Sequence, residues 1–127
     1  MSIRKEAIFW LERNYGKANG PVVTSKYYRP EESWPKKSVW WFQIPIRTIE
    51  ENSLGHINLL CQSLPEENKF YYLKVPVRFL IDNLDKFHVV KDNISIYLST
   101  DTERLFIEER GTGNLDFSSF LVNSENS

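Results

Sequence analysis

The chain has 127 residues, of which 41% are hydrophobic, and its 16 basic and 17 acidic side chains leave a formal net charge of -1. This length suits a single domain with its own core. The near balance of charge excludes a strongly basic protein whose overall field would attract nucleic acid or an anionic membrane. We therefore predict one domain over residues 1–122, followed by a flexible polar tail at 123–127.

The N-terminal segment MSIRKEAIFWLERNYG predicts an amphipathic helix over residues 2–15. Its apolar residues recur at helical spacing, Ser2 can cap the first turn, and Gly16 supplies a left-handed stop. Charged residues interrupt the apolar ones, which excludes a signal peptide and a membrane span in this segment. We therefore predict a cytoplasmic protein, in which the single cysteine, Cys61, is a buried apolar side chain.

Residues 16–37 are predicted to be mostly loop, because Pro21, Pro30 and Pro35 punctuate them and leave room only for a short extended piece such as VVTSKYY. The following segment, SVWWFQIPI, is rich in aromatic and β-branched residues on both alternating faces. This composition predicts a strand that is covered on both sides and that ends near Pro45. Its three adjacent aromatic side chains are expected to enter the core: Trp40, Trp41 and Phe42.

The remainder of the chain predicts further strands and one helix. HINLLCQS (56–63) and KFYYLKV (69–75) read as a hairpin, a short helix follows over 76–85, and FHVV, NISIYLS and RLFIEER read as additional strands. The predicted fold is α+β, with a mainly antiparallel sheet of five to six strands packed by the N-terminal helix and the short second helix. The predicted order is αβββαβββ, and no internal repeat is detected.

The predicted order contains αβββαβ, which resembles the minimal core of the restriction-endonuclease-like superfamily. The resemblance implies a divalent metal held by carboxylates on neighbouring strands and a lysine that steers the attacking water. The strand SVWWFQIP offers Gln43 and no carboxylate, and HINLLCQS has neither acid nor lysine. Glu67 and Lys69 match the short Glu-x-Lys pattern but lie in a predicted turn. A metal-dependent nuclease, active or degenerate, is therefore the alternative hypothesis.

The segment from Lys26 to Lys37 combines aromatic rings with positive charge and is here called the basic aromatic segment. Rings of this kind can stack unpaired bases while the cations pair with phosphates. They suit a protein partner equally well, because Tyr, Trp and Arg dominate interface hot spots. Alternatively, Trp34 and one tyrosine cover the edge of the sheet and the lysines keep that edge soluble. The candidate binding residues are Lys26, Tyr27, Tyr28, Arg29, Trp34, Lys36 and Lys37.

The function predicted from the sequence is thus a small, non-catalytic binding module that uses this segment to engage nucleic acid or a partner protein. We assign no cofactor, no metal and no membrane partner. A homodimer through a free β-edge is compatible with either partner. The acidic pair Asp101 and Glu103 in STDTE is interpreted as part of a solvated turn.

Overall fold

The computed structural model describes residues 3–32, 37–63 and 69–122, and these residues form an α+β fold with three α-helices and two sheets. The predicted α+β class is thereby confirmed. The helices are α1 (Ile3–Tyr15), α2 (Ile46–Glu51) and α3 (Val77–Asp82). The strands are β1 (Val22–Ser25), β2 (Val39–Pro45), β3 (His56–Gln62), β4 (Phe70–Pro76), β5 (His88–Val90) and β6 (Asn93–Ser99).

The strands are divided between two sheets rather than joined in the single sheet that the sequence predicted. The first sheet has the order β1-β3-β4, in which β1 runs parallel to β3 and β3 runs antiparallel to β4. The second has the antiparallel order β2-β6-β5. Strand β2 leads directly into α2 and pairs with β6, so it does not join β3 and β4 in the single sheet that was predicted.

Helix α1 agrees with its prediction and packs on the first sheet. It spans Ile3–Tyr15, and Gly16 follows with a φ of 83°, the left-handed conformation that a glycine stop requires. The predicted capping residue Ser2 lies outside the described residues. The buried face of α1 packs against β3 and β4 in a small apolar cluster formed by Ala7, Leu11, Leu60, Phe70 and Tyr72.

The main core lies between the two sheets and draws side chains from both. Phe42 and Ile94 come from the second sheet, while Ile57 and Val75 come from the first. Trp40 and Phe42 are buried, as expected. Trp41 is only partly buried, because it lies on the opposite face of β2, where its ring stacks on Tyr97 at 5.9 Å between centroids.

Two further segments differ from the prediction. Residues 46–51 form α2, although the sequence predicted a strand that ends near Pro45 and no helix after it. The segment RLFIEER is not a regular strand; it joins its neighbours through isolated bridges at Ile107 and Glu108. Phe106 has a φ of 64°, which interrupts the extended backbone immediately before those bridges. The helix predicted over 76–85 is observed as α3, with a separate 3₁₀ turn at Leu84–Lys86.

The structure also contains a short internal repeat that the sequence analysis missed. The segments FQIPIRTIEEN (42–52) and LKVPVRFLIDN (73–83) align without a gap and share a proline, an arginine two residues later and a final asparagine. Each forms a strand that ends at the proline and a six-residue helix that follows. So few identities over so short a segment do not stand out in the sequence, because recognisable repeats usually extend over 20 to 50 residues.

The two copies also make equivalent hydrogen bonds. Pro45 and Pro76 have nearly the same backbone angles, with φ of -60° and -61°. The next residue in each copy donates its N–H to the carbonyl just before the paired strand begins, Ile46 to Asp92 at 2.9 Å and Val77 to Gly55 at 3.0 Å. Because proline has no N–H to donate, this bond is what closes the strand pair after it.

Candidate binding cleft

The described residues of the basic aromatic segment, 26–32 and Lys37, lie at one end of the two sheets, between the end of β1 and the start of β2. Tyr28 pairs with Val39 through two backbone hydrogen bonds of 2.9 and 3.1 Å, which fixes the segment to the first residue of β2. A 3₁₀ turn follows at Pro30–Glu32, where proline supplies the helical φ of the first position. Trp34 and Lys36 lie outside the described residues.

Lys26 is already engaged within the segment. Its ammonium lies 2.9 Å from Glu32 Oε2 and 4.7 Å from the centre of the Tyr28 ring. The hydrogen bond to Glu32 raises the pKa of Lys26, and the same bond, together with the N–H of Arg29, lowers the pKa of Glu32. Both side chains are exposed, so this ion pair contributes little to stability. It does reduce the positive charge that the segment presents.

The two tyrosines of the segment are partly buried and face opposite ways. The Tyr27 ring meets Trp40 edge-on at 6.4 Å, and the Tyr28 ring meets Trp41 at 6.0 Å. Trp40 belongs to the core face of β2 and Trp41 to its outer face, so only Tyr27 turns towards the end of the core. Arg29 is exposed. Of the described candidates, Tyr27 and Tyr28 therefore lie on different surfaces.

Tyr27 and Lys37 instead line a cleft of about 480 Å³ where β2 begins and β6 ends. Val39 and Ser99 are paired at this end of the second sheet, which places the residues after Ser99 beside the basic aromatic segment. An adjoining depression of about 250 Å³ shares Tyr27 with the cleft and adds the rings of Trp40 and Tyr71. The cleft itself is lined by Tyr27, Lys37, Ser38, Ser99, Thr100, Asp101, Thr102 and Glu109.

Glu109 forms the charged wall of the cleft. Its carboxylate lies 3.2 Å from Arg104 Nε and 3.9 Å from Lys37 Nζ, and only 11% of its side chain is exposed. The ionised side chains that line the cleft are one cation, Lys37, and two carboxylates, Asp101 and Glu109. Arg104, which pairs with Glu109, brings the described charges at this end to two cations and two carboxylates, although the segment beside it is basic in sequence.

The neighbouring residue, Glu108, holds this wall in place. It is buried and accepts backbone N–H groups from Tyr97 (2.9 Å), Arg110 (3.0 Å) and Gly111 (2.6 Å). Burial raises the pKa of Glu108 because it disfavours the charged form, while the three N–H bonds act in the opposite direction. These bonds fix the turn after Glu109.

Gly111 permits that turn to close. A Cβ atom on Gly111 would lie 2.0 Å from the carbonyl oxygen of Lys86, and that same oxygen accepts the N–H of Thr112 at 3.0 Å. No side chain fits between these two backbone segments. The position of Glu109 in the cleft thus depends on a glycine two residues further along.

The floor of the adjoining depression is aromatic. Trp40 stacks on Phe106 at 5.4 Å and meets Tyr71 edge-on at 5.7 Å, and 39% of Tyr71 is exposed. No described residue makes a hydrogen bond to the hydroxyl groups of Tyr27, Tyr71 or Thr102. The arrangement can therefore offer ring surface and hydroxyl groups to a ligand.

Comparison of the chain with protein-family models, curated proteins and solved structures finds no match. The case for a function therefore rests on the residues themselves. Within the described ranges, no helix is long and apolar enough to cross a membrane.

The residues of the alternative nuclease hypothesis are only partly described. Lys69 is exposed just before β4, and its carbonyl accepts the N–H of Ser63 at 2.9 Å. Glu67 lies outside the described residues. In the part of the chain that the structure covers, no three His, Cys, Asp or Glu side chains come together in a group that could hold a metal ion.

Sequence reasoning missed the residues that β6 and the following turn contribute to the cleft. Asp101 was interpreted as part of a solvated turn, and Arg104 and Glu109 were assigned to a strand. Hydroxyl-bearing and acidic residues directly after a strongly apolar strand, as in YLSTDTE, were the available signal. Cys61 is buried as predicted, and burial raises the pKa of its thiol well above the usual value, which disfavours the reactive thiolate.

Proposed function

We propose that this chain is a non-catalytic binding module, acting in the cytoplasm, that engages a partner protein through the basic aromatic segment and the adjoining cleft. The observation that carries the proposal is the cleft together with the adjoining depression, which set the rings of Tyr27, Trp40 and Tyr71 beside charges of both signs. Aromatic anchors inside a polar rim are characteristic of protein recognition sites.

The distribution of charge favours a protein over a nucleic acid as the partner. Lys26 is paired with Glu32, Lys37 lies near Glu109, and Asp101 adds a further negative charge to the cleft. A nucleic acid would have to bring its phosphates towards these carboxylates, which opposes the electrostatic attraction that dominates such binding. A protein surface with mixed charge meets no such penalty.

The proposal is tested by selecting binders from a random peptide display library on the folded protein and measuring the affinity of synthetic copies by calorimetry. Lys37→Ala and Tyr71→Ala should each weaken the selected peptides about ten-fold, because Lys37 lines the cleft and Tyr71 lines the adjoining depression. Lys91→Ala is the matched control, since Lys91 lies in the turn between β5 and β6 at the opposite end of the second sheet.

Peptides that bind all three variants as tightly as the unchanged protein would place the binding surface elsewhere. A parallel titration with single- and double-stranded oligonucleotides at two salt concentrations tests the competing partner. Steeply salt-dependent binding that an Arg29→Ala, Lys37→Ala double variant loses would replace the protein partner by a nucleic acid.

A further inference from the structure

We infer that the partner segment received by the cleft carries a lysine or arginine side chain, which lies against the ring of Tyr27 and pairs with the carboxylate of Asp101. This inference rests on the proposed function and specifies the chemistry of the ligand. It follows from the charges that remain after the internal ion pairs of the cleft are taken into account.

Asp101 and Glu109 are the two carboxylates among the described residues that line the cleft. Glu109 is neutralised by Arg104 at 3.2 Å and by the more distant Lys37 at 3.9 Å. Asp101 is exposed, and none of the described residues forms an ion pair with its carboxylate. With Glu109 engaged by both cations, Asp101 is the carboxylate of the cleft that remains for a ligand, so a cationic group is complementary to it.

The ring of Tyr27 offers a second contact for a cation. Tyr27 lines both the cleft and the adjoining depression, so its ring borders whatever occupies either of them. Tyrosine faces attract ammonium and guanidinium groups, and the alkyl stems of lysine and arginine pack on apolar surface. The chain already uses such a contact within the basic aromatic segment, where Lys26 lies 4.7 Å from the centre of the Tyr28 ring.

An acidic ligand is not complementary to the cleft. An acidic ligand would have to approach Asp101 and Glu109 together and to compete with Glu109 for Lys37. Like charges repel each other, and among the described residues that line the cleft Lys37 is the one cation that could offset the repulsion. The hydroxyl groups of Tyr71 and Thr102, which can accept hydrogen bonds from a cation, complete the complementarity.

The peptides selected by display provide the test. Those whose binding depends on Lys37 and Tyr71 should be enriched in lysine or arginine at one position, and replacing that residue by norleucine should weaken them about five-fold. Asp101→Asn should have the same effect on the original peptide and no further effect on the norleucine peptide. Asp92→Asn is the control, because Asp92 lies at the far end of the sheet and asparagine tolerates its φ of 65°.

The outcomes separate the two proposals. Peptides that depend on Lys37 and Tyr71 but contain no basic residue, or that bind the Asp101→Asn variant unchanged, would overturn the cationic ligand and leave the proposed module intact. Failure of every peptide to depend on Lys37 or Tyr71 would overturn both. Equal losses for Asp101→Asn and Asp92→Asn would indicate a general charge effect and would also contradict the inference.

Discussion

Asn58 is a buried side chain whose amide nitrogen and amide oxygen both make hydrogen bonds. Its Nδ2 donates to the carbonyls of Asn19 at 3.2 Å and Pro21 at 3.0 Å, while its Oδ1 accepts the hydroxyl of Tyr72. Burial raises the pKa of the Tyr72 hydroxyl, which keeps it protonated as a donor. This single residue therefore ties the loop after α1 to both β3 and β4.

Tyr72→Phe should lower the free energy of unfolding by about 1–3 kcal/mol, because it leaves Asn58 Oδ1 buried without a donor. Urea unfolding monitored by tryptophan fluorescence measures the change. Tyr28→Phe is the control, since no described residue pairs with that hydroxyl. Equal effects of the two substitutions would show that the hydrogen bond to Asn58 contributes no special stability.

Glu108 should make stability depend on pH in an identifiable way. Its pKa is raised in the folded chain, so its contribution to the free energy of unfolding is fully present below its ordinary value of 4.5 and is lost as the pH rises through the folded value. The unchanged protein should therefore gain stability relative to Glu108→Gln between pH 7 and pH 4.5. Urea midpoints across this range measure the difference, with the exposed Glu103→Gln as control. A difference that stays constant with pH would contradict the raised pKa.

The two strand–helix units of the internal repeat, residues 42–52 and 73–83, also make equivalent side-chain interactions. Each ends with an asparagine whose Nδ2 donates to the carbonyl four residues earlier, Asn52 to Thr48 at 2.7 Å and Asn83 to Phe79 at 2.9 Å. Each also has an arginine paired with an acid four residues later, at 3.3 Å in α2 and 3.1 Å in α3. Short helices gain little from cooperativity, so these terminal bonds matter to them.

We expect Asn52→Ala and Asn83→Ala each to reduce the free energy of unfolding by about 0.5–1.5 kcal/mol, because each removes one hydrogen bond to a helix-terminal carbonyl. Chemical denaturation measures both, and the exposed Ser53→Ala is the control. If one substitution had a large effect on the free energy of unfolding and the other none, the asparagine hydrogen bonds of the two copies would not contribute equally to stability.

The elements that could be predicted are those whose signal is local. Helix α1 has enough turns for its apolar periodicity to show, and Gly16 marks its end. Helix α2 has only six residues, too few to establish a helical period, and its sequence reads equally well as the end of a strand. Strand β2 pairs with β6 rather than with β3, and this pairing depends on contacts between residues that are distant in sequence.

The candidate site likewise has a part that could be predicted from residues adjacent in the chain and a part that could not. The basic aromatic segment was identified because its rings and charges are adjacent in the chain. The carboxylate that lies near Lys37 belongs to Glu109, far along the sequence, and its position depends on Glu108 and Gly111. Neither the charge of the cleft nor its shape could therefore be deduced from composition.

For the whole molecule, the shared core predicts a single cooperative unfolding transition. Residues of both sheets pack in one cluster, so neither sheet can open without exposing apolar surface of the other. Unfolding by urea should give the same midpoint by far-ultraviolet circular dichroism and by tryptophan fluorescence. Two separated transitions would show that the sheets are independent units and that the predicted single domain is wrong.

The pairing of β2 with β6 also determines the order in which the chain can assemble. Strands β3 and β4 meet across a short connection, whereas β2 must wait until everything from residue 46 to residue 92 has been synthesised before its partner exists. During that interval the aromatic side chains of β2 have no sheet to enter. We expect the nascent chain to be most prone to aggregation at this stage, and closure of β2 on β6 to be the late, rate-limiting event of folding.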